Sequence, residues 1–235
     1  MTGTLYLIPT LLSGEDINWV IPSTVQKHIA DISYYIVEHP KTARQFLKCI
    51  NCNLPLQKIH MEILNEHTQS HELLPLLDPL LAGHDVGILS EAGCPAVADP
   101  GAELIRLAHQ QNIRVMPLVG PSSILLALMA SGLNGQRFSF HGYLPVERDV
   151  RVKKIIELEQ QSIAYDQTQI FIEAPYRNQR LLESLIKTCH DNTDLCIAAN
   201  LTFVSEYIAT KTIKAWRCAL PEINKIPAIF LFHGK

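Results

Sequence analysis

No G-x-G occurs anywhere in the 235 residues, although the chain has 11 glycines. That removes the glycine fingerprint of the dinucleotide-binding turn, where closely spaced glycines let the backbone approach a pyrophosphate. Also missing are G-x-x-x-x-G-K-[ST], which would cradle a triphosphate, the G-x-S-x-G turn of a nucleophilic serine, and the H-E-x-x-H helix of zinc hydrolases. The chain has no excess of positive charge: it is 18% charged with a formal net charge of −3. No general attraction to nucleic acid is therefore encoded. Without a low-complexity tract or a repeat period, the chain is neither a disordered protein nor a solenoid. Its longest apolar runs, residues 73–82 and 124–133, fall short of the roughly 20 residues a bilayer-spanning helix requires, and Asp78 interrupts the first. The opening Met1-Thr2-Gly3-Thr4-Leu5-Tyr6-Leu7-Ile8-Pro9 lacks both a basic segment and a small-residue cleavage site. It reads as a buried first strand rather than a secretory signal. A cytoplasmic protein with no membrane association is expected.

The six cysteines have no regular spacing, and a chain of this length needs no disulfide framework. Cys49 and Cys52 form a C-x-x-C, but they end an amphipathic run and have no second ligand pair at zinc spacing. Ordinary reduced thiols are expected. His67 and His71 stand at i, i+4 without an identifiable third ligand, so no metal site is expected.

What is present is an alternation of elements. Strand-like segments at 4–8, 32–37, 85–89 and 113–118 are interleaved with helix-like ones at 23–31, 42–49, 70–81 and after Gly101, the third broken or kinked at Pro75 and Pro79. This rhythm predicts a mainly parallel sheet covered by helices. The pattern changes at Val119-Gly120-Pro121-Ser122-Ser123, a Gly-Pro turn with two N-cap residues before a helix at 124–130. The boundary is placed there, giving a first domain over 1–119 and a second over 120–235. The second carries strand-like segments at 138–142, 169–173, 194–201, 207–213 and 228–233, with helices at 150–160 and 178–190. A mixed sheet is expected. With 47% hydrophobic residues the chain can bury two such cores.

Chemistry concentrates in S-E-A-G-C-P-A-V-A-D-P-G, residues 90–101. In a parallel sheet, ligands sit beyond the carboxyl ends of strands, where loops and helix N-termini present free N–H groups. Two glycines there allow close backbone approach, two prolines limit flexibility, and Glu91 and Asp99 can accept hydrogen bonds or balance a cation. Helix capping by Asp99 would account for Asp99-Pro100 but not for the residues before them.

Those residues carry a family resemblance. Leu89-Ser90-Glu91-Ala92-Gly93-Cys94-Pro95, Ala98-Asp99-Pro100-Gly101 and Pro117-Leu118-Val119-Gly120-Pro121-Ser122-Ser123 resemble the tetrapyrrole methylase superfamily of S-adenosylmethionine-dependent methyltransferases. Gly3-Thr4-Leu5-Tyr6-Leu7-Ile8-Pro9-Thr10, Arg137-Phe138, Gly142-Tyr143-Leu144-Pro145 and Phe171-Ile172-Glu173-Ala174-Pro175-Tyr176-Arg177 extend it from end to end. The branch most alike is that of the ribosomal RNA small subunit methyltransferase I proteins. The resemblance implies two α/β domains with the cofactor in the cleft between them, and a homodimer. It implies S-adenosylmethionine held by Pro9, Thr10, Ser90, Glu91, Ala92, Gly93, Asp99, Pro121, Ser122 and Ser123, with apolar walls from Tyr143, Leu144, Pro227 and Ala228. For Tyr143 and Leu144 an ordinary core role is the competing reading.

The sequence departs from that branch in several places. The first loop, Pro9-Thr10-Leu11-Leu12-Ser13-Gly14-Glu15-Asp16-Ile17, lacks the Pro-Ile-Gly-Asn run typical of the branch. Glu91 and Cys94 stand where relatives tend to have aspartate and threonine, and only part of an acidic and Thr-Arg motif survives over 38–44. After Pro145 the branch is basic, whereas Val146-Glu147-Arg148-Asp149 is mixed. Methyl transfer from a sulfonium is an in-line displacement that requires alignment in a dry site rather than a protein nucleophile. Glu173 and Arg177 are the expected substrate-handling pair, with a structural ion pair as the competing reading and Glu206 a weaker candidate. The expected activity is a methyl transfer, with a ribose 2′-hydroxyl of small-subunit ribosomal RNA as the acceptor that the resemblance suggests. A small-molecule or tetrapyrrole acceptor, and a cofactor-binding module without transfer activity, stay open.

Overall fold

Side-chain alternation organises the first sheet. In β1 (Thr4–Ile8), Tyr6 and Ile8 face one way and Leu5 the other, and all three are buried, so the strand has helices to cover it on both faces. The computed structural model describes residues 2–12 and 16–235; Ser13, Gly14 and Glu15 of the altered first loop lie outside the described residues. By internal contacts the chain divides into Met1–Ser122 and Ser123–Lys235, each built on its own five-stranded sheet.

In the first unit, β1 is followed by α1 (Ile17–Val20), α2 (Ser23–Ile29), β2 (Tyr34–Val37), α3 (Pro40–Cys49), β3 (His60–Ile63), α4 (Ser70–Leu73), α5 (Asp78–Leu81), β4 (Val86–Leu89), α6 (Ala102–Gln110) and β5 (Arg114–Pro117). The strands lie in the order β3-β2-β4-β1-β5, all parallel. Tyr6, Ile8, Tyr35, Val37 and Leu89 pack with residues of α1, α2 and α3. Leu5, Ile36, Val86 and Ile88 pack against Leu77, Leu80 and α6 on the other face. The region expected as one broken helix over 70–81 is two single-turn helices joined by a 3₁₀ segment, Leu74–Leu77, with Pro75 and Pro79 each at the start of a new turn. Proline has no N–H to lose at that position. Pro117 sits on the edge strand β5, where a missing donor costs no ladder bond.

The second unit comprises α7 (Ser123–Ser131), β6 (Phe138–Tyr143), α8 (Arg148–Tyr165), β7 (Thr168–Ile172), α9 (Asn178–Thr188), β8 (Asp194–Ala199), β9 (Tyr207–Thr212), α10 (Ile213–Trp216) and β10 (Ala228–His233). Its sheet runs β6-β7-β10-β8-β9, with only β6 and β7 parallel. The mixed sheet is as the sequence suggests. Phe171, Phe230 and Phe232 meet at the centre, with ring centroids 6.0 and 5.6 Å apart. Trp216 is fully buried and donates its indole N–H to Leu195 O at 2.8 Å.

One buried carboxylate ties α8 to the turn between α9 and β8. Glu159, 3% exposed, accepts the His190 N–H at 2.9 Å and the Thr193 hydroxyl. Burial, with the nearby Glu159 charge second, pushes the neighbouring Cys189 thiol up. Replacing Glu159 by alanine would leave two donors without partners, at a cost of about 2–4 kcal/mol. Urea unfolding followed by tryptophan fluorescence in a Trp19→Phe background, where Trp216 is the reporter, checks this; an unchanged midpoint would contradict it.

Candidate active site

The order β3-β2-β4-β1-β5 creates a switch point at the carboxyl ends of β1 and β4. These adjacent strands send their connections to opposite faces of the sheet, β1 through α1 and α2 and β4 through α6. Chain ends that diverge in this way leave a crevice where a ligand can meet backbone N–H groups. Here the two loops are sewn together before they part. Thr10 N–H donates to Gly93 O at 2.9 Å and Gly93 N–H to Thr10 O at 3.3 Å. The Thr10 hydroxyl donates to Ser90 O at 3.2 Å and the Ser90 hydroxyl to Gly93 O at 3.1 Å. Gly93 sits at φ +75°, a left-handed conformation that side chains resist.

The loop after β5 joins the same edge. A Cβ on Gly120 would come within 2.4 Å of Pro9 Cβ, so only glycine allows that approach. The Cys94 thiol, pushed up by burial and so held protonated, donates to Pro121 O at 3.4 Å. Pro9, Thr10, Ser90, Gly93 and Pro121, expected as cofactor residues, are thus brought together by direct contacts. Ala92 is exposed on the same loop, while Ser122 and Ser123 are half-buried where the first unit ends and α7 begins.

Acidic groups collect beside this edge. Asp99 is half-buried, receives no hydrogen bond from any described residue and does not cap α6, whose N-cap is Gly101. Burial, followed by the charges of Glu38 and Glu91, raises its carboxyl to about 6. Glu38, directly after β2, is raised by burial and then by Glu91. Glu91 accepts the Thr42 hydroxyl at 2.6 Å and lies 3.4 Å from His39 Nδ1. No lysine or arginine among the described residues pairs with any of the three. Glu38 and Asp99 line a small cavity, of about water size, with Ser90, Leu64 and Pro100. Glu38 was not anticipated as a site residue; its signal is an acid placed just past a strand end, as Glu91 is.

In the second unit the expected residues gather at one end of the sheet. Tyr143 pairs with Ile172 and Ile172 with Ile229, which places Tyr143, Glu173 and the Pro227-Ala228 strand entry side by side. Lys225 N–H donates to Pro175 O at 2.9 Å and Asn178 Nδ2 to Ile226 O at 2.5 Å. Glu173 is buried, and a single oxygen, Oε1, takes all its bonds: Ala174 N–H at 2.8 Å, Arg177 Nε at 2.9 Å and Arg177 Nη2 at 2.5 Å. Arg177 also lies over the Tyr176 ring, 5.5 Å from its centroid. Glu173 Oε2 has no partner among the described residues. Tyr143 is 58% exposed, whereas Leu144 and Ala228 belong to the hydrophobic core; Pro227 is exposed and its carbonyl accepts Asn200 N–H at 2.9 Å. Glu206 accepts the Thr202 N–H at 2.8 Å and closes its own turn. Asn178, fully buried with Oδ1 unpaired, escaped sequence reasoning because a polar residue after Tyr-Arg reads as surface.

Comparison with known proteins bears on what this site does. A family model described as Tetrapyrrole (Corrin/Porphyrin) Methylases matches residues 32–216. The chain is 29% identical over 235 residues to the ribosomal RNA small subunit methyltransferase I of Vibrio cholerae, covering 98% of this chain and 77% of that protein. It is 30% identical to the protein of the same name from Buchnera aphidicola, covering 88% and 68%. Among solved structures, the methyltransferase CobJ superposes with TM-score 0.64 at 17% identity over 99% of this chain and 94% of the other. Uroporphyrin-III-C-methyltransferase from Thermus thermophilus does so with TM-score 0.57 at 18% identity over 99% and 93%. These two show a shared fold of paired α/β units. Among the described residues no helix is long and apolar enough to cross a membrane.

The acid cluster makes a pH-dependent prediction. A carboxyl raised from 3.8 to about 6 favours the folded state in its protonated form. That contribution is complete below pH 3.8 and is lost as the pH rises through 6. Above pH 6 the ionised Asp99 therefore lowers stability. Asp99→Asn should raise the melting temperature by a few degrees at pH 7.5, and the gain should vanish by pH 4. A gain independent of pH, or a loss, would contradict the assignment.

Proposed function

The chain belongs to the tetrapyrrole methylase family and is an S-adenosylmethionine-dependent methyltransferase, and on that premise we propose that its acceptor is a ribose 2′-hydroxyl of small-subunit ribosomal RNA. Support comes from relatives named ribosomal RNA small subunit methyltransferase I, which align over nearly the whole chain. The observation that carries the chemistry is Glu173, whose Oε1 is fixed by three donors while Oε2 is left to accept a hydrogen bond.

The residues of the first unit fit the cofactor. A set of carboxylates without a lysine or arginine partner, on a backbone edge with exposed turns, suits a ligand that carries both a cationic head and hydrogen-bonding groups. When bound, S-adenosylmethionine supplies a methyl group on a sulfonium, which leaves as a neutral thioether. Asp99 and Glu91 would balance its positive charge, and the Thr10 to Gly93 edge, with Ala92, Pro121, Ser122 and Ser123, would hold it. Tyr143 and Pro227, exposed at the sheet edge that carries Glu173, would shield the acceptor from water. Glu173 orients the acceptor hydroxyl and takes its proton as the oxygen attacks, and Arg177 keeps the carboxylate in place. We place the enzyme in solution as a homodimer, supported by Leu125 and Met129, exposed one turn apart on the apolar helix α7. The net charge of −3 favours a second reading, a small tetrapyrrole-like acceptor.

The experiment is label transfer from methyl-labelled S-adenosylmethionine to undermodified small ribosomal subunits, with a tetrapyrrole arm alongside. Label is expected in RNA, in an alkali-resistant dinucleotide, because a 2′-O-methyl group removes the nucleophile that cleaves the chain. Glu173→Gln should lower kcat by about 10²–10⁴ with little change in KM. Label in the tetrapyrrole alone, or alkali-labile label in RNA, would overturn the reading.

A further inference from the structure

A groove of about 300 Å³ lies between α8 and α9, its lining shares no residue with the candidate site at Glu173, and basic side chains dominate it. Arg148 and Arg151 come from the first turns of α8, and Arg180 and Lys187 from α9. Glu183 is the one carboxylate in its lining, and among the described residues it pairs only with Lys187, at 3.7 Å across an exposed surface. Such a pair is weak and readily exchanged. Arg148, Arg151 and Arg180 form no ion pair among the described residues. In a chain of net charge −3, four cations against one carboxylate are a marked local excess.

The groove is held in shape by Arg151. Its Nη1 donates to Pro145 O at 3.3 Å and Val146 O at 2.7 Å, and its Nε and Nη2 both donate to Ser184 Oγ at 3.2 Å. Those bonds fix the turn before α8 against α9 and engage no acid, so the guanidinium charge stays available to the groove. Arg180 and Lys187, seven residues apart, lie on one helical face about 10 Å from each other. Arg148 stands exposed at the opening of α8. Cationic side chains set along a track of that length match successive phosphates, and Val152 is the one apolar residue in the lining. Ser184 and Thr188 complete the lining with hydroxyls.

We propose that this groove is a docking surface for the phosphate backbone of the RNA that carries the acceptor, separate from the transfer site. The inference rests on the reading of the acceptor as RNA. It resolves a tension in that reading: a protein without net positive charge grips a polyanion by concentrating its unpaired arginines on one face.

The test is binding of small-subunit ribosomal RNA to the full chain across a salt series. The protein would be wild type, the triple variant Arg148→Ala, Arg180→Ala, Lys187→Ala, or the control Lys27→Ala, Lys48→Ala, Lys58→Ala, which removes the same charge elsewhere. Arg151 is left intact because it holds the helices. The groove variant should lose on the order of tenfold or more in affinity, and its slope of log K against log salt should fall by about 2 to 3. Its binding of S-adenosylhomocysteine should be unchanged. Equal losses in both variants, or none in the groove variant, would overturn the groove while leaving an RNA acceptor intact. A wild-type protein that binds no RNA, yet methylates a small acceptor, would overturn both.

Discussion

A pair of backbone hydrogen bonds between Thr10 and Gly93 is the constraint on which the candidate cofactor site depends. Parallel strands end with unpaired N–H and C=O groups, and two adjacent strands whose chains turn opposite ways would ordinarily let those ends splay. Closing the bridge requires Gly93 at positive φ, a buried Ser90 whose hydroxyl reaches back to Gly93 O, and a Gly120 small enough to lie on Pro9. With these in place, three loops leave the sheet as one shaped edge. Burial, and then the charges of Glu38 and Glu91, raise the Asp99 carboxyl, and burial followed by Glu91 raises that of Glu38, an arrangement that costs stability and is relieved by a cationic ligand.

The second unit uses a different device for a comparable end. Parallel β6 and β7 and antiparallel β10 finish or start at the same edge, and the 3₁₀ turn after β7 bends Arg177 back onto Glu173. Binding of the turn to the Ile226 and Lys225 backbone makes it rigid. A carboxylate fixed through one oxygen is preorganised for what the other oxygen accepts. The chain segment that follows this edge, Pro145 to Arg151, leads into the basic groove, so one turn connects the candidate transfer site with the surface proposed for RNA.

Much of this was legible in the sequence where a segment is buried on both faces. β1 and β10 coincide with the apolar runs at 4–8 and 228–233, because no competing period exists there. β3 was missed: His60–Ile63 is an edge strand with largely exposed side chains and no alternation to read, and its existence is decided by pairing with β2. The turn at 90–101 stood out through its glycines, prolines and acids. That Asp99 does not cap its helix, that Glu38 sits near it, and that Leu144 is spent in the core are facts of three-dimensional packing that no local spacing encodes. Arg148 and Arg151 share the start of α8 with Lys153 and Lys154, a charge run that reads by itself as a solvated helix face; only the helix pairing selects those facing α9.

The central claim, that the sewn edge of the first sheet holds the cofactor, is tested most directly by calorimetric titration with S-adenosylhomocysteine, on wild type and Asp99→Ala. Since ionised Asp99 lowers stability, the variant stays folded and the comparison isolates binding. The account predicts saturable binding to wild type and an affinity on the order of tenfold lower or worse in the variant. Superimposable titration curves for the two proteins would contradict it.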